Sequence, residues 1–361
     1  MLYEVLPDPR AFRSTDEITL QTLHIHRVIP ESVPVGRIEH RGAGAHEVVD
    51  EVISRAEYLD RMQQACANLG EGLAVRFYDH FDEEFDASVL DHLDEVRHLM
   101  ISVPSILRPE AVGRLPKLST LHFTPAWNLK NPKILRALGV HRLTHFTLAG
   151  VTPMPTIDLA PLGDARSLLS LRLLGRGKNT EAIGACTALK ELALHPSPKF
   201  SLGVVNQLQQ LEVLKFVLGS IQSIRDVDVL PALRDLSTFE VHLLEDLGDL
   251  QRFRSLRRLQ VSDQKRIAEI HVGATNAQLE HLRLYSVPAL HSIGGLSLLP
   301  ALKSIWAYDS RLKLPWSALP ATLTHFQLVT KAMKGRDAHD AEVRARGLIP
   351  ELHPDAEFFY K

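Results

Sequence analysis

One pattern of apolar and variable positions returns eleven times between residues 96 and 328: apolar, two variable, apolar, one variable, apolar. It begins at Val96, Leu118, Leu143, Leu168, Leu189, Leu211, Leu236, Leu256, Leu279, Leu302 and Leu323, at steps of 20–25 residues. The alternation in its second half has the period of a β-strand, in which successive side chains face opposite sides. A repeat of this length predicts a solenoid, each unit burying its apolar face against the next. In every repeat the second and third apolar positions are expected to point into the core, and the variable positions beside them outward. Leu-Pro pairs such as Leu115-Pro116, Leu230-Pro231 and Leu299-Pro300 precede several strands. Proline lacks an amide donor and biases its predecessor away from helix, which suits a corner before a strand.

The phrase resembles the leucine-rich repeat, and the resemblance covers residues 96–328. It implies an α/β solenoid: a leucine-rich repeat horseshoe with a parallel concave sheet, a helical N-terminal cap and a short C-terminal cap. The expected organisation is an α/β cap over residues 1–72, a solenoid over 73–331 and a C-terminal cap or tail over 332–361. One departure stands out. The family pattern places Asn or Cys three residues past the last apolar position. Here residues such as Pro104, Val151, Arg176, Gly219, Gln264 and Lys331 stand there, so no asparagine ladder is expected and the convex side should be irregular.

Outside the repeat, residues 19–28 alternate in apolar character and predict a strand, and residues 73–78 predict a further, degenerate one. Val49, Val52, Ile53, Ala56, Leu59, Met62, Cys66 and Leu69 fall at steps of one to four residues, which predicts an amphipathic helix over 46–69 ending near Gly70. A polar helix is expected over 332–347.

The net charge of −2 lacks the basic excess of a nucleic-acid binder. No run of 18 apolar residues exists, so no membrane span is expected. The start MLYEVLPDPR lacks a basic region followed by an apolar stretch, and only Cys66 and Cys186 are present. Together these predict a cytoplasmic protein in a reducing compartment.

Candidate chemistry falls short motif by motif. His46-Glu47-Val48-Val49-Asp50 approaches a zinc-protease helix but lacks the second His and a third ligand. Gly175-Arg176-Gly177-Lys178-Asn179 lacks the Ser or Thr after the Lys of a phosphate loop. Neither cysteine matches the Cys-x-Asp nucleophile of the bacterial leucine-rich ubiquitin ligases. No catalytic, metal or cofactor-binding residue is therefore assigned, and no enzyme activity is expected. Asp79, Asp82, Glu83, Glu84, Asp86, Asp91, Asp94 and Glu95 form an acidic run suited to a basic partner or to a solvated face.

The outward positions carry the functional expectation. The repeat frame puts Thr238 and Glu240 on this face, and it gathers Arg258, His281, Arg283, Tyr285, Trp306, Tyr308 and Asp309 on neighbouring strands. Trp, Tyr and Arg are enriched in binding hot spots because they bury large areas and keep a polar handle. His98, His122 and His145 form a secondary contact patch. The partner is expected to be another protein, with neither nucleic acid nor membrane involved. Two versions follow, an immunity-type inhibitor of a toxin or a bacterial effector that binds a host protein after delivery, with a hydrolase or metal enzyme as the remote alternative.

Overall fold

The structure is a computed structural model that describes residues 5–12, 20–26, 29–41, 44–78, 84–124, 131–150, 155–329 and 336–356. The chain divides into two compact units, Met1–Ala182 and Ile183–Lys361.

In the first unit, parallel strands Gln21–His26, Leu73–Tyr78, His98–Ser102, Thr120–Phe123, His145–Ala149 and Ser170–Leu174 lie side by side. Two apolar columns run across them in register. One is Leu23, Val75, Leu99, Leu121, Phe146 and Leu171; the other is Ile25, Phe77, Ile101, Phe123, Leu148 and Leu173. All twelve are buried. The predicted strands at 19–28 and 73–78 are thus both members of this sheet.

The helix expected over 46–69 is only half right. Gly44–Ser54 is a strand, antiparallel to Ser32–Arg41, and the helix is Arg55–Leu69. Val48, Val49, Val52 and Ile53 are β-branched and favour the extended chain. The helical spacing of Val49 and Val52 was coincidental, since both are exposed. The boundary signal is Ser54, whose hydroxyl accepts the Glu57 amide at 3.2 Å as an N-cap. The hairpin also needs Gly36, because a Cβ there would lie 1.9 Å from the Val48 carbonyl oxygen. The helix buries Tyr58, Leu59, Met62, Ala65 and Cys66, and the Tyr58 hydroxyl donates to the Pro7 carbonyl at 3.0 Å.

The second unit contains parallel strands Glu191–Leu194, Val213–Val217, Asp235–Phe239, Arg258–Ser262, His281–Val287, Ser304–Ser310 and His325–Val329. Its register corrects one repeat. Leu236 pairs with Leu214 and Thr238 with Phe216, so the phrase there begins at Leu233 rather than Leu236. Thr238, expected outward, is fully buried in an inward position, and Glu240 lies beyond the strand. The outward residues of this repeat are Asp235 and Ser237. Phe239 and Val241 had imitated the phrase three residues late.

Backbone groups supply the regularity that side-chain amides do not. The carbonyl of Glu212 accepts the amides of Arg234 and Asp235, that of Arg234 those of Arg257 and Arg258, and that of Arg257 those of Glu280 and His281, all at 2.8–3.0 Å. On leaving the strands, Leu218, Glu240, Asp263, Ser286 and Asp309 adopt positive φ of 49–59°. The Leu218, Glu240 and Asp263 amides donate to Phe239, Ser262 and Tyr285 carbonyls of the following repeat. One buried asparagine contributes as well: Asn276 Nδ2 donates to the Leu250 and Phe253 carbonyls. Behind the sheet the chain forms 3₁₀ turns and short two-stranded ladders such as Glu269–His271 with Ser292–Gly294.

After the last strand, helix Arg336–Ala345 falls within the expected 332–347. The chain then returns to the sheet edge. The Ile349 amide donates to Thr324 and its carbonyl accepts from Phe326, at 2.9 and 3.0 Å. An otherwise open edge is thereby paired at this point. Among the described residues no helix is long and apolar enough to cross a membrane.

Candidate binding face

Parallel register turns the outward positions of the second unit into rows. The first row is Asp235, Arg258, His281, Ser304 and His325; the second is Ser237, Gln260, Arg283, Trp306 and Gln327. The third is Phe239, Ser262, Tyr285, Tyr308 and Val329. Side chains in one row stand about 5 Å apart, close enough for rings to touch.

Aromatic residues in rows two and three use that spacing. The rings of Tyr285 and Tyr308 stack at 5.4 Å and 11°, Tyr285 and Trp306 at 5.8 Å and 3°, and Trp306 and Tyr308 at 6.1 Å and 13°. Trp306 Nε1 donates to Gln327 Oε1, which fixes the indole. The Arg283 guanidinium lies 5.3 Å from the Trp306 ring centre, a cation–π arrangement. Tyr285 and Tyr308 remain 39% and 40% exposed. Four of the seven expected contact residues thus form one cluster.

The other three sit differently. Arg258 is turned along its row and grips Asp235 with two hydrogen bonds of 2.5 Å. Asp309 occupies the left-handed position that leads out of its strand. His281, expected on the open wall, is only 2% exposed because the C-terminal segment lies over it. The His353 ring packs against His281 at 4.7 Å and against His325 at 4.6 Å. Burial, reinforced by the charge of His353, pushes the His281 pKa down to about 4, and the same causes lower that of His325. Nothing in the repeat pattern signalled this cover, since His353 is 28 residues beyond His325 and belongs to no repeat.

In the first unit, His98 and His145 share a row with Thr120 between them, while His122 stands in the next row. His98 Nε2 lies 2.7 Å from Glu71 Oε2, and His145 Nδ1 contacts the Thr144 hydroxyl at 3.0 Å. Burial, followed by the charge of Arg172, lowers the His122 pKa. The three imidazoles are not among the described groups compact enough to hold a metal ion.

The remaining motifs have structural roles. His46 and Asp50 lie on a strand rather than a helix. Gly177–Lys178 pairs with Ile157–Asp158, and Asn179, at positive φ, donates to Asp158 at 2.7 Å. In the acidic run, Asp86 pairs with Arg108, Asp91 with Arg114 at 2.7 Å and Glu95 with Lys117 at 2.6 Å. Each bridge joins one repeat to the next. Asp79, Asp82 and Glu83 lie outside the described residues. Cys66 and Cys186 are buried, and burial pushes the Cys66 thiol up to about 12.

This fold is shared by known leucine-rich repeat proteins. An internalin from Listeria monocytogenes superposes with a TM-score of 0.51 at 15% identity, over 80% of this chain and 91% of the internalin. A leucine-rich repeat protein from Leptospira interrogans gives a TM-score of 0.51 at 14% identity, over 75% of this chain and 68% of that one. No protein-family model matches the chain, and no curated protein matches it in sequence. The fold is therefore a leucine-rich repeat α/β solenoid.

Proposed function

We propose that this chain is a non-catalytic protein-binding module whose main contact surface is the outward face of the second unit. The observation that carries this reading is the Tyr285–Trp306–Tyr308 stack with Arg283 laid against it. Stacked rings on neighbouring strands are held in place before a partner arrives, so little side-chain freedom remains to be lost on binding. Each ring offers apolar area beside a polar tip, and the guanidinium supplies directional donors. That combination suits a protein surface with an apolar centre and carboxylate or carbonyl acceptors around it. His98, His122 and His145 provide a secondary contact region.

The concrete version is an inhibitor that shields a toxin by covering its surface, a role that requires area and rigidity and no chemistry of its own. The test is capture of a partner from native lysate, followed by calorimetric titration with purified components. A Trp306→Ala, Arg283→Ala double variant should weaken binding by roughly 30-fold or more, about 2 kcal/mol. A captured toxin whose activity falls on binding supports the inhibitor version. Unchanged affinity in the double variant refutes the proposed surface.

A further inference from the structure

The first row of the same sheet carries a second cluster that the aromatic contact surface does not use. His281 stands on strand His281–Val287 and His325 on strand His325–Val329, while the 3₁₀ turn Pro354–Ala356 brings His353 and Asp355 to them. One ligand atom from each of His281, His353 and Asp355 lies within 4.8 Å of the others. Ligands of a tetrahedral zinc ion, at about 2.0–2.1 Å from the metal, stand roughly 3.3 Å apart. A small closing movement of the exposed turn would bring the three atoms to that spacing.

His281 is prepared for a ligand. Its Nδ1 contacts the buried Ser304 hydroxyl at 2.8 Å, which orients the ring. Its Nε2 is buried without a hydrogen-bond partner among the described residues. Glu280 is 3.7 Å away, beyond hydrogen-bond reach, and its carboxylate is paired with Lys303 at 3.2 Å. An unsatisfied buried nitrogen costs free energy unless something binds it. On the opposing turn the His353 ring is largely covered, and its Nδ1 accepts the Asp355 amide at 3.1 Å, a bond that ligation of a cation by His353 would replace. His325 approaches the same ring edge-on at 4.6 Å and stands beside the three converging atoms, its Nδ1 in contact with the Thr324 hydroxyl at 2.9 Å.

We propose that His281, His353 and Asp355, with His325 beside them, form a site for a zinc-type divalent cation that fastens the C-terminal turn to the sheet. Imidazole and carboxylate donors in this number suit zinc, and copper or nickel would compete in the usual affinity order. The site does not depend on the partner-binding reading, because its ligands lie one row away from the aromatic stack.

The test uses the full chain, freed of any affinity tag and of metal, and titrated with Zn²⁺ alone at neutral pH. One saturable equivalent is expected. His353→Ala and Asp355→Asn should each weaken it by at least the roughly 10–100-fold that loss of an outer-shell partner costs. Both positions are on the C-terminal turn, so the metal-free variants should melt close to wild type and loss of folding would not mimic loss of binding. Co²⁺ in place of Zn²⁺ should give the visible absorption of a tetrahedral nitrogen–oxygen site, and His353→Ala should remove it. Absence of saturable binding overturns the proposal. So does undiminished binding in His353→Ala, which would place the ion on other histidines among the 18 in the chain.

Discussion

The two units bury the same kind of apolar columns yet present different outward faces. Over its later strands the first unit's outward positions hold Thr120, His122, Thr147, Ser170 and Arg172. Its first two strands carry a smaller cluster, in which the Arg76 guanidinium lies 5.4 Å from the Tyr78 ring centre and His24 meets that ring edge-on at 6.0 Å. At the end of the second unit, adjacent strands instead bring Arg283, Trp306, Tyr285 and Tyr308 together. Inward positions must fill a close-packed interior, where even one methylene is felt. Outward positions lie on the other side of the sheet, and although Ser237, Gln260 and Gln327 are buried among their neighbours there, Tyr285 and Tyr308 stay exposed, so these rings call for another explanation. The partner contact proposed above is one.

The largest expected effect tests the half of this comparison on which the units agree. Phe123→Ala in the first unit and Phe216→Ala in the second should each cost about 3–5 kcal/mol in chemical denaturation, because both rings are fully buried. A cost confined to one unit would break the claim of equivalent cores. Next comes the Asp235–Arg258 pair. Arg258→Ala strands a carboxylate that is only 7% exposed, and should cost about 1.5–3 kcal/mol. A double replacement of both residues by neutral partners should recover part of that loss.

Titration sharpens the contrast from the first unit's side. The folded pKa of His122 lies below its ordinary 6.5 because burial and Arg172 disfavour the imidazolium. Its contribution is therefore fully present above pH 6.5 and is lost as the pH falls toward the folded value. Urea midpoints measured from pH 8 to 5 should fall less steeply for His122→Gln than for wild type. Identical slopes would remove His122 from the acid response. The smallest effect belongs to the repeat-joining surface pairs. Asp91→Asn should change stability by less than about 1 kcal/mol, since Asp91 and Arg114 are 40% and 54% exposed. It should leave partner affinity unchanged if the acidic run is structural.

The repeat pattern made most of this fold legible because its apolar columns are local and periodic. The one frame error, at Leu236, arose where Thr238 fills an inward position and Phe239 offers a false apolar signal. The strand at 44–54 carries a misleading helical signal because Val49 and Val52 keep helical spacing while facing outward. The aromatic cluster was legible because register alone brings Arg283 beside Trp306 and Tyr285 beside Tyr308. The His281–His353 contact was not, since it depends on the path of a tail that has no repeat to set its register. Nor could the sequence reveal that backbone amides at left-handed residues would take over the work of an asparagine ladder.

The most direct measurement compares the two faces with one purified partner. Its dissociation constant should be determined by calorimetry for wild type, for Trp306→Ala with Arg283→Ala, and for His122→Ala with Arg172→Ala. The account predicts a loss of roughly 30-fold or more from the second-unit pair and only a few-fold from the first-unit pair. The reverse order, with the aromatic variant binding like wild type, would contradict it.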